Sequence, residues 1–122
     1  MNTLGANISN FTKDRKKKWN LNLICKMGIN LVLIIHKIHE RGYVHRDINP
    51  RNIMLGKNDN WNDIHLIDYS LAKLIPKDQN YIEIKNEKAG LLEFASASSL
   101  KNNKYTFRDD LESLGYTLLF CS

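Results

Sequence analysis

Two stretches of the chain carry the apolar spacing of amphipathic helices. In residues 21–41, apolar side chains recur every three or four positions, at Ile24, Met27, Leu31, Ile34, Ile35 and Ile38,. Asn20 suits the N-cap of this helix and Gly42 its end,. Because residues 31–35 are apolar on every face, we expect this helix to lie in the interior of the fold,.

The second helical pattern covers residues 107–120. Its apolar positions are predicted to share one buried face, which consists of Leu111, Leu114, Leu118 and Leu119,. Asp109 and Asp110 fall in its first turn, where negative charge complements the helix dipole,.

Between the two helices, the pattern changes to short strands. Residues 53–56 and 64–67 read as a β-hairpin with a polar turn at residues 57–63,. An antiparallel pairing would bring Asn52, before the first strand, and Asp68, after the second, to the same side. Residues 68–99 show no sustained periodicity and are expected to be irregular,.

The segment before the hairpin, residues 44–52, is a charged loop. Pro50 disfavours helical angles at Asn49, so the segment cannot be helical throughout,. His45-Arg46-Asp47, with Asn52 five positions after the aspartate, has the spacing of a phosphoryl-transfer loop,. Asp47 suits the base that accepts a hydroxyl proton, and Asn52 and Asp68 offer the hard oxygen ligands that Mg²⁺ prefers.

Composition limits the alternatives. The chain has 122 residues and a formal net charge of +5, which fits one domain and permits anionic partners,. No aromatic ladder accompanies the basic run at residues 13–18, so we expect no DNA or RNA partner; a basic nucleic-acid binder rests on charge alone,. Cys25 and Cys121 have no metal-site spacing and are expected to be reduced thiols,.

The sequence was also read for a signal peptide and for a membrane span, and neither is predicted. Residues 1–10 do not read as a signal peptide, and the apolar stretch 29–38 is too short and too polar to span a bilayer,. We therefore expect no membrane partner and an intracellular protein of the cytoplasm, the nucleus or both.

These motifs resemble those of the protein kinases, most closely the casein kinase I family and its vaccinia-related kinase relatives. The loop resembles the family's catalytic loop, and Leu66-Ile67-Asp68-Tyr69-Ser70-Leu71-Ala72-Lys73 resembles Leu-Ile-Asp-Phe-Gly-Leu-Ala-Lys. Phe94-Ala95-Ser96 resembles the family's Tyr-Ala-Ser, and the run from Arg108 to Tyr116 is the most family-specific.

The resemblance implies a fold class of α+β, mainly α, and a fragment of the kinase C-terminal lobe. Its parts would be the long central helix, the catalytic loop, the short hairpin, an activation segment and a final buried helix. Residues 1–122 would form a partial kinase domain, since the small lobe, with its Gly-rich loop and strand lysine, and the terminal helices have no counterpart in the sequence.

The resemblance also implies roles for individual residues. Asp47 would be the catalytic base, Asn52 and Asp68 the metal ligands, and ATP and Mg²⁺ the cofactors. Asp110 would accept hydrogen bonds from the loop backbone and hold the His45 to Asp47 segment in place, with His45 and Arg46 supporting the site.

Several positions depart from the family pattern. Asn49 stands where the family has a lysine that contacts the transferring phosphate, and Ser70 stands where it has a glycine. Leu91 replaces a threonine, and Glu93 replaces an arginine thought to favour phosphorylated or acidic substrates, so we do not expect that preference at this position.

Two functions follow as hypotheses. The first is a truncated serine/threonine kinase of casein-kinase-I type that acts on protein hydroxyls; the second is an inactive pseudokinase fragment that binds a protein partner. We expect the isolated chain to transfer no phosphate, and the sequence does not indicate its oligomeric state.

Overall fold

The computed structural model describes residues 4–12, 20–84 and 92–122. Its helices are α1 (Ile8–Thr12), α2 (Leu21–Glu40), α3 (Ala97–Asn102) and α4 (Phe107–Cys121). Its strands are β1 (Tyr43–Val44), β2 (Ile53–Gly56), β3 (Asn60–Leu66), β4 (Lys73–Leu74), β5 (Ile82–Glu83) and β6 (Lys104–Tyr105). This mixture of helices and strands agrees with the predicted α+β class. The basic run at residues 13–18 and Leu91 lie outside the described residues.

Helix α2 begins and ends within one residue of its predicted bounds. The Asn20 Oδ1 atom accepts a hydrogen bond of 2.8 Å from the Leu23 amide, which confirms the predicted N-cap,. Arg41 is the C-cap, and Gly42 follows with φ +87°, a left-handed angle that glycine adopts at little cost,.

The expectation that α2 lies wholly in the interior is wrong for the described chain. Met27, Leu31 and Ile35 face the core, whereas Ile29 and Leu33 are 63% and 55% exposed. The described elements pack against only one side of α2, chiefly β3 and α4, so the apolar residues on its other side remain uncovered.

The predicted hairpin forms from β2 and β3, which pair antiparallel with Ile53 opposite Leu66. Strand β3 begins at Asn60 rather than at residue 64, so the turn is shorter than predicted. Residues 60–63 continue the strand after a register shift at Leu55/Gly56; Trp61 packs against the core, and its neighbours Asn60, Asn62 and Asp63 are polar and exposed. Polar residues of this kind give no apolar alternation from which a strand is predicted.

Most of the core lies between α2, the β2/β3 hairpin and α4. Its buried residues are Ile8, Met27, Leu31, Ile35, Ile48, Ile53, Leu55, Ile64, Leu66, Leu114 and Cys121. Burial of the loop residue Ile48 in this cluster anchors the candidate loop to the core.

Helix α4 buries a different face from the predicted one. Leu114 is buried, but Leu111 and Leu119 are 45% and 70% exposed. The buried positions of α4 are Asp109, Asp110, Ser113, Leu114, Thr117 and Cys121, and most of them are polar. The apolar pattern failed here because hydrogen-bond partners on other elements, rather than apolar contacts alone, select the face that turns inward.

Within the segment 68–99, the described residues 68–84 and 92–99 are less irregular than predicted. Strand β4 pairs antiparallel with β1, and β5 pairs antiparallel with β6. These two-residue pairs connect the segment to the end of α2 and to the start of α4, and each is too short for a period-two pattern.

Helix α2 is long and apolar enough, by length and composition, to cross a membrane, with a mean hydropathy of 1.5 over its best window. The argument from the short stretch 29–38 therefore does not exclude a span. One such helix is weak evidence, because core helices of soluble proteins meet the same criterion. The absence of a membrane partner stays a prediction.

The exposed faces of α2 and α4 lead to a prediction about self-association. Ile24, Ile29, Leu33 and Leu118 are among the residues that line an apolar groove of about 480 Å³. Exposed apolar surface of this kind promotes association and a broad melt. The double variant Ile29→Gln/Leu33→Gln should reduce self-association by analytical ultracentrifugation without loss of helical circular dichroism.

Leu31→Ala provides the contrasting variant, because Leu31 is fully buried. It should lower the free energy of unfolding by about 2–5 kcal/mol and leave the apolar groove intact. A sharp, cooperative melt of a monomeric wild-type chain would contradict the prediction.

Candidate functional site

The Asp47 carboxylate lies in the loop between β1 and a 3₁₀ turn at Pro50–Asn52. Its Oδ1 accepts a hydrogen bond of 2.8 Å from Asn49 Nδ2, and its Oδ2 accepts one of 2.9 Å from Asn52 Nδ2. Both carboxamides also donate to the Asp47 carbonyl oxygen. Each carboxylate oxygen retains a lone pair, so the group is held in one orientation and can still accept a proton.

Asn49, at the position of the usual lysine, is directed into its own loop. It is 2% exposed, and its Oδ1 accepts a 3.0 Å hydrogen bond from the Arg51 amide, which caps the 3₁₀ turn. Arg51 itself is exposed. The carboxamide therefore stabilises the shape of the loop but adds no positive charge to it.

Asp68 follows the hairpin with φ +59° and is exposed. Ser70 donates two hydrogen bonds to Asp68 Oδ1, from its hydroxyl at 2.6 Å and its amide at 3.2 Å. These bonds, the hydroxyl first, lower the pKa of Asp68 below its ordinary value and keep it ionised at neutral pH,. The left-handed angle falls on Asp68 and not on Ser70, so serine at the position of the family's glycine carries no cost of a left-handed backbone,.

The hairpin brings Asn52 and Asp68 to the same end. The Ile67 amide donates to the Asn52 carbonyl oxygen at 2.8 Å, and Asp68 is the next residue. Both hydrogen bonds of the Asn52 side chain use Nδ2, which leaves Oδ1 with its lone pairs. One amide oxygen and one carboxylate fit Mg²⁺, which takes few protein ligands and completes its shell with phosphates and water.

Among the residues that the structure describes, no larger acidic cluster competes for this role. Within residues 4–12, 20–84 and 92–122, no group of three or more His, Cys, Asp or Glu side chains could hold a metal ion. The oxygens of Asn52 and Asp68 are therefore the candidate ligands that the sequence singled out and the hairpin brings together.

Asp110 on α4 is fully buried behind the loop and receives four hydrogen bonds. Oδ2 accepts from the His45 amide and from His39 Nε2, both at 2.8 Å. Oδ1 accepts from the Arg46 amide at 3.1 Å and from the Tyr105 hydroxyl at 2.7 Å. Burial alone would raise the pKa of Asp110, but these donors outweigh it and the pKa is lowered,.

His45 and Arg46 connect the loop to the segment after the hairpin. The His45 ring accepts from the Asp47 amide at Nδ1 and pairs through Nε2 with the Ile67 carbonyl oxygen at 3.0 Å. Together these contacts require the neutral tautomer with a proton on Nε2, which donates to Ile67. Arg46 has φ +73°, and its Nη1 donates to the Leu71 carbonyl oxygen at 3.3 Å.

Two members of this arrangement were missed by sequence reasoning. His39 and Tyr105 belong to none of the sequence motifs, yet both donate to Asp110. His39 is 71 positions from Asp110, so no local spacing could pair them. The one sequence signal for His39 is its position in the last turn of α2, close to the loop.

The Phe94-Ala95-Ser96 motif is attached to the start of α4. The Ser96 hydroxyl donates to Asp109 Oδ1 at 2.5 Å, and the Thr106 amide donates to Asp109 Oδ2 at 2.6 Å. The two adjacent aspartates therefore have different tasks, since Asp109 connects the motif to the helix and Asp110 connects the loop to it.

The matches to known proteins include a family model and a curated relative. Residues 16–122 match a family model described as fungal protein kinase. The chain is also similar to a probable serine/threonine-protein kinase of Fowlpox virus (strain NVSL), with 33% identity over 120 residues, which is 95% of this chain. The chain spans about two fifths, 39%, of the length of that relative.

The lowered pKa of Asp110 predicts how stability depends on pH. A carboxyl group whose pKa is lower in the folded state stabilises the fold above its unfolded pKa, about 3.9. That contribution is lost as the pH falls through the folded pKa. The free energy of unfolding, measured by urea titration, should therefore decrease from pH 6 toward pH 3, and Asp110→Asn should flatten part of this dependence.

Asp110→Asn should also lower the free energy of unfolding near neutral pH by about 2–4 kcal/mol, because buried donors lose their anionic acceptor. The exposed Asp78→Asn serves as the matched control and should leave both quantities unchanged. Identical pH dependences for wild type and Asp110→Asn would refute the assignment.

Proposed function

The chain belongs to the fungal protein kinase family, and from that premise we propose that it is part of an ATP-dependent protein serine/threonine kinase. The observation that carries the proposal is the Asp47 carboxylate, which Asn49 and Asn52 hold by one oxygen each. An aspartate that only capped a strand or a turn would not require two carboxamides to orient its carboxylate. The relative at 33% identity is named as a probable kinase of the same class, which supports the proposal.

We place residues 1–122 in the C-terminal lobe of a kinase domain, as a partial domain. The arrangement of α2, the loop, the β2/β3 hairpin and α4 around one core supports this placement. On this proposal the 122 residues would bind metal–ATP weakly by themselves, because the glycine-rich loop and lysine of the small lobe, which add contacts to the phosphates, have no counterpart among them,.

Asp47 would orient the attacking hydroxyl of a protein substrate and accept its proton. A base must lie within hydrogen-bond reach of that proton, so its orientation matters before its pKa does. The two carboxamides fix the orientation of the Asp47 carboxylate in the folded protein. Substrate binding therefore does not have to supply the free energy of orienting it. His45 and Arg46, through Asp110, would position the backbone that carries Asp47.

Asn52 Oδ1 and the Asp68 carboxylate would hold Mg²⁺ together with the phosphates of ATP. The cation neutralises charge that develops on the transferring phosphoryl group. Ser70 would steady Asp68 through its two hydrogen bonds and leave Asp68 Oδ2 for the metal.

An inactive pseudokinase fragment that binds a protein partner is the alternative, and Asn49 is the observation that favours it. Loss of one positive contact to a transferring phosphate costs on the order of a hundredfold in rate. Asn49 is neutral and its side chain is used within the loop, while Arg51 points to solvent. Protein is the partner class on either proposal.

The subfamily is a finer part of the proposal. Similarity to casein kinase I and to the vaccinia-related kinases rests on the Phe94-Ala95-Ser96 motif and on the run that begins α4. The roles of Ser96 and Asp109 in joining these two segments support a shared architecture for them. An intracellular location, without DNA, RNA or membrane partners, remains part of this proposal.

Metal mapping on the full 122-residue chain tests the proposed site without requiring activity. Mn²⁺ with ATP should broaden the amide NMR signals of residues 47–52 and 66–70 by paramagnetic relaxation. Asp68→Asn should abolish the broadening, because it removes the charged ligand. Asp78→Asn removes an exposed carboxylate elsewhere and should preserve it.

Equal broadening in wild type and Asp68→Asn would reject the proposed metal site. No broadening in any of the proteins would favour the pseudokinase alternative, in which this chain does not bind metal–nucleotide.

A further inference from the structure

A second concave surface lies away from the candidate loop, at the junction of β5, β6 and the start of α4. We propose that this surface, here called the basic groove, is a docking site for an acidic peptide segment of a partner protein. The groove has a volume of about 690 Å³, and its lining residues include Asn80, Tyr81, Lys104, Phe107 and Arg108. That volume exceeds the space of a single small anion and suits a short stretch of chain.

The charge of the groove is one-sided. Lys104 and Arg108 are both exposed, and no Asp or Glu is among the residues that line the groove. In the part of the chain that the structure describes, Arg108 forms no ion pair with any carboxylate. Glu83 is the strand partner of Lys104 in the β5/β6 register but does not line the groove. An exposed guanidinium is suited to a paired contact with a carboxylate.

Lys104 is oriented rather than freely mobile. Its Nζ atom lies 4.5 Å from the centroid of the Tyr81 ring, a cation–π distance,. Because the ring holds the stem of the lysine in place, less side-chain entropy is lost when a ligand carboxylate binds the ammonium group. The Tyr81 ring therefore presents the Lys104 ammonium group in an orientation ready to bind a ligand carboxylate.

The aromatic side chains favour peptide over single-stranded nucleic acid. Base binding depends on aromatic faces that are open to stacking. Lys104 covers a face of Tyr81, and the Phe107 ring packs against His39 with centroids 4.8 Å apart. Positive charge beside rings that already make these contacts, next to the exposed carboxamide of Asn80, fits carboxylates and peptide backbone.

The groove adjoins the candidate site without sharing its chemical groups. Lys104 precedes Tyr105, whose hydroxyl donates to Asp110. A peptide bound in the groove would thus lie next to the element that supports the loop. Docking does not require phosphate transfer, so a failure of the kinase proposal and a failure of this one are distinguishable.

Fluorescence anisotropy with the full chain and a labelled peptide of alternating Glu and Ala tests the proposal. At about 50 mM salt, where screening is weak, Lys104→Gln/Arg108→Gln should weaken binding by about tenfold or more. Lys57→Gln/Lys77→Gln removes two exposed charges elsewhere and should change binding by less than about twofold,. The same peptide with Gln in place of Glu should bind weakly to all proteins.

Two further measurements sharpen the test. Tyr81→Phe should retain affinity because its ring still orients Lys104, whereas Tyr81→Ala should lose part of it. Equal losses in the two double variants would show attraction by net charge and would overturn the proposal. An oligonucleotide of matched charge that binds as tightly as the acidic peptide, or no detectable peptide binding, would also overturn it.

Discussion

The buried carboxylate of Asp110 is the interaction on which the arrangement of the candidate site depends. It receives hydrogen bonds from the end of α2 (His39), from the loop backbone (His45 and Arg46) and from β6 (Tyr105). A carboxylate without these donors would be costly at zero exposure,. Four donors from three parts of the chain offset the cost of burying this charge, and the hydrogen bonds fix the positions of the donors as well.

This arrangement gives different structural roles to two carboxylates on adjacent residues. Asp109 joins the segment around Ser96 to α4, whereas Asp110 holds the loop backbone through the His45 and Arg46 amides. Asn49 and Asn52 orient the Asp47 carboxylate. The chain therefore fixes both the backbone of the loop and its carboxylate, which is what a preorganised catalytic group requires. The same order would serve a non-catalytic module, whose binding surface also benefits from a rigid loop.

Local patterns predicted the elements whose signals are local. The cap at Asn20, the bounds of α2 and the pairing of β2 with β3 followed from spacing and from turn residues. The loop residues could be singled out because Asp47 and Asn52 lie five positions apart. The inward face of α4 could not be predicted, because its aspartates are buried against hydrogen-bond partners that are mostly far away in sequence. The exposed side of α2 could not be predicted either, because apolar periodicity does not report which surfaces other elements cover.

Amide hydrogen exchange at His45 and Arg46 tests the central claim most directly, since both amides donate to Asp110. In the wild-type chain they should exchange slowly, as amides bonded to a buried acceptor do. In Asp110→Asn they should exchange at least about tenfold faster, while the Leu31 and Ile35 amides in the middle of α2 keep their protection. Unchanged exchange at His45 and Arg46 in Asp110→Asn would contradict the claim that this carboxylate holds the loop.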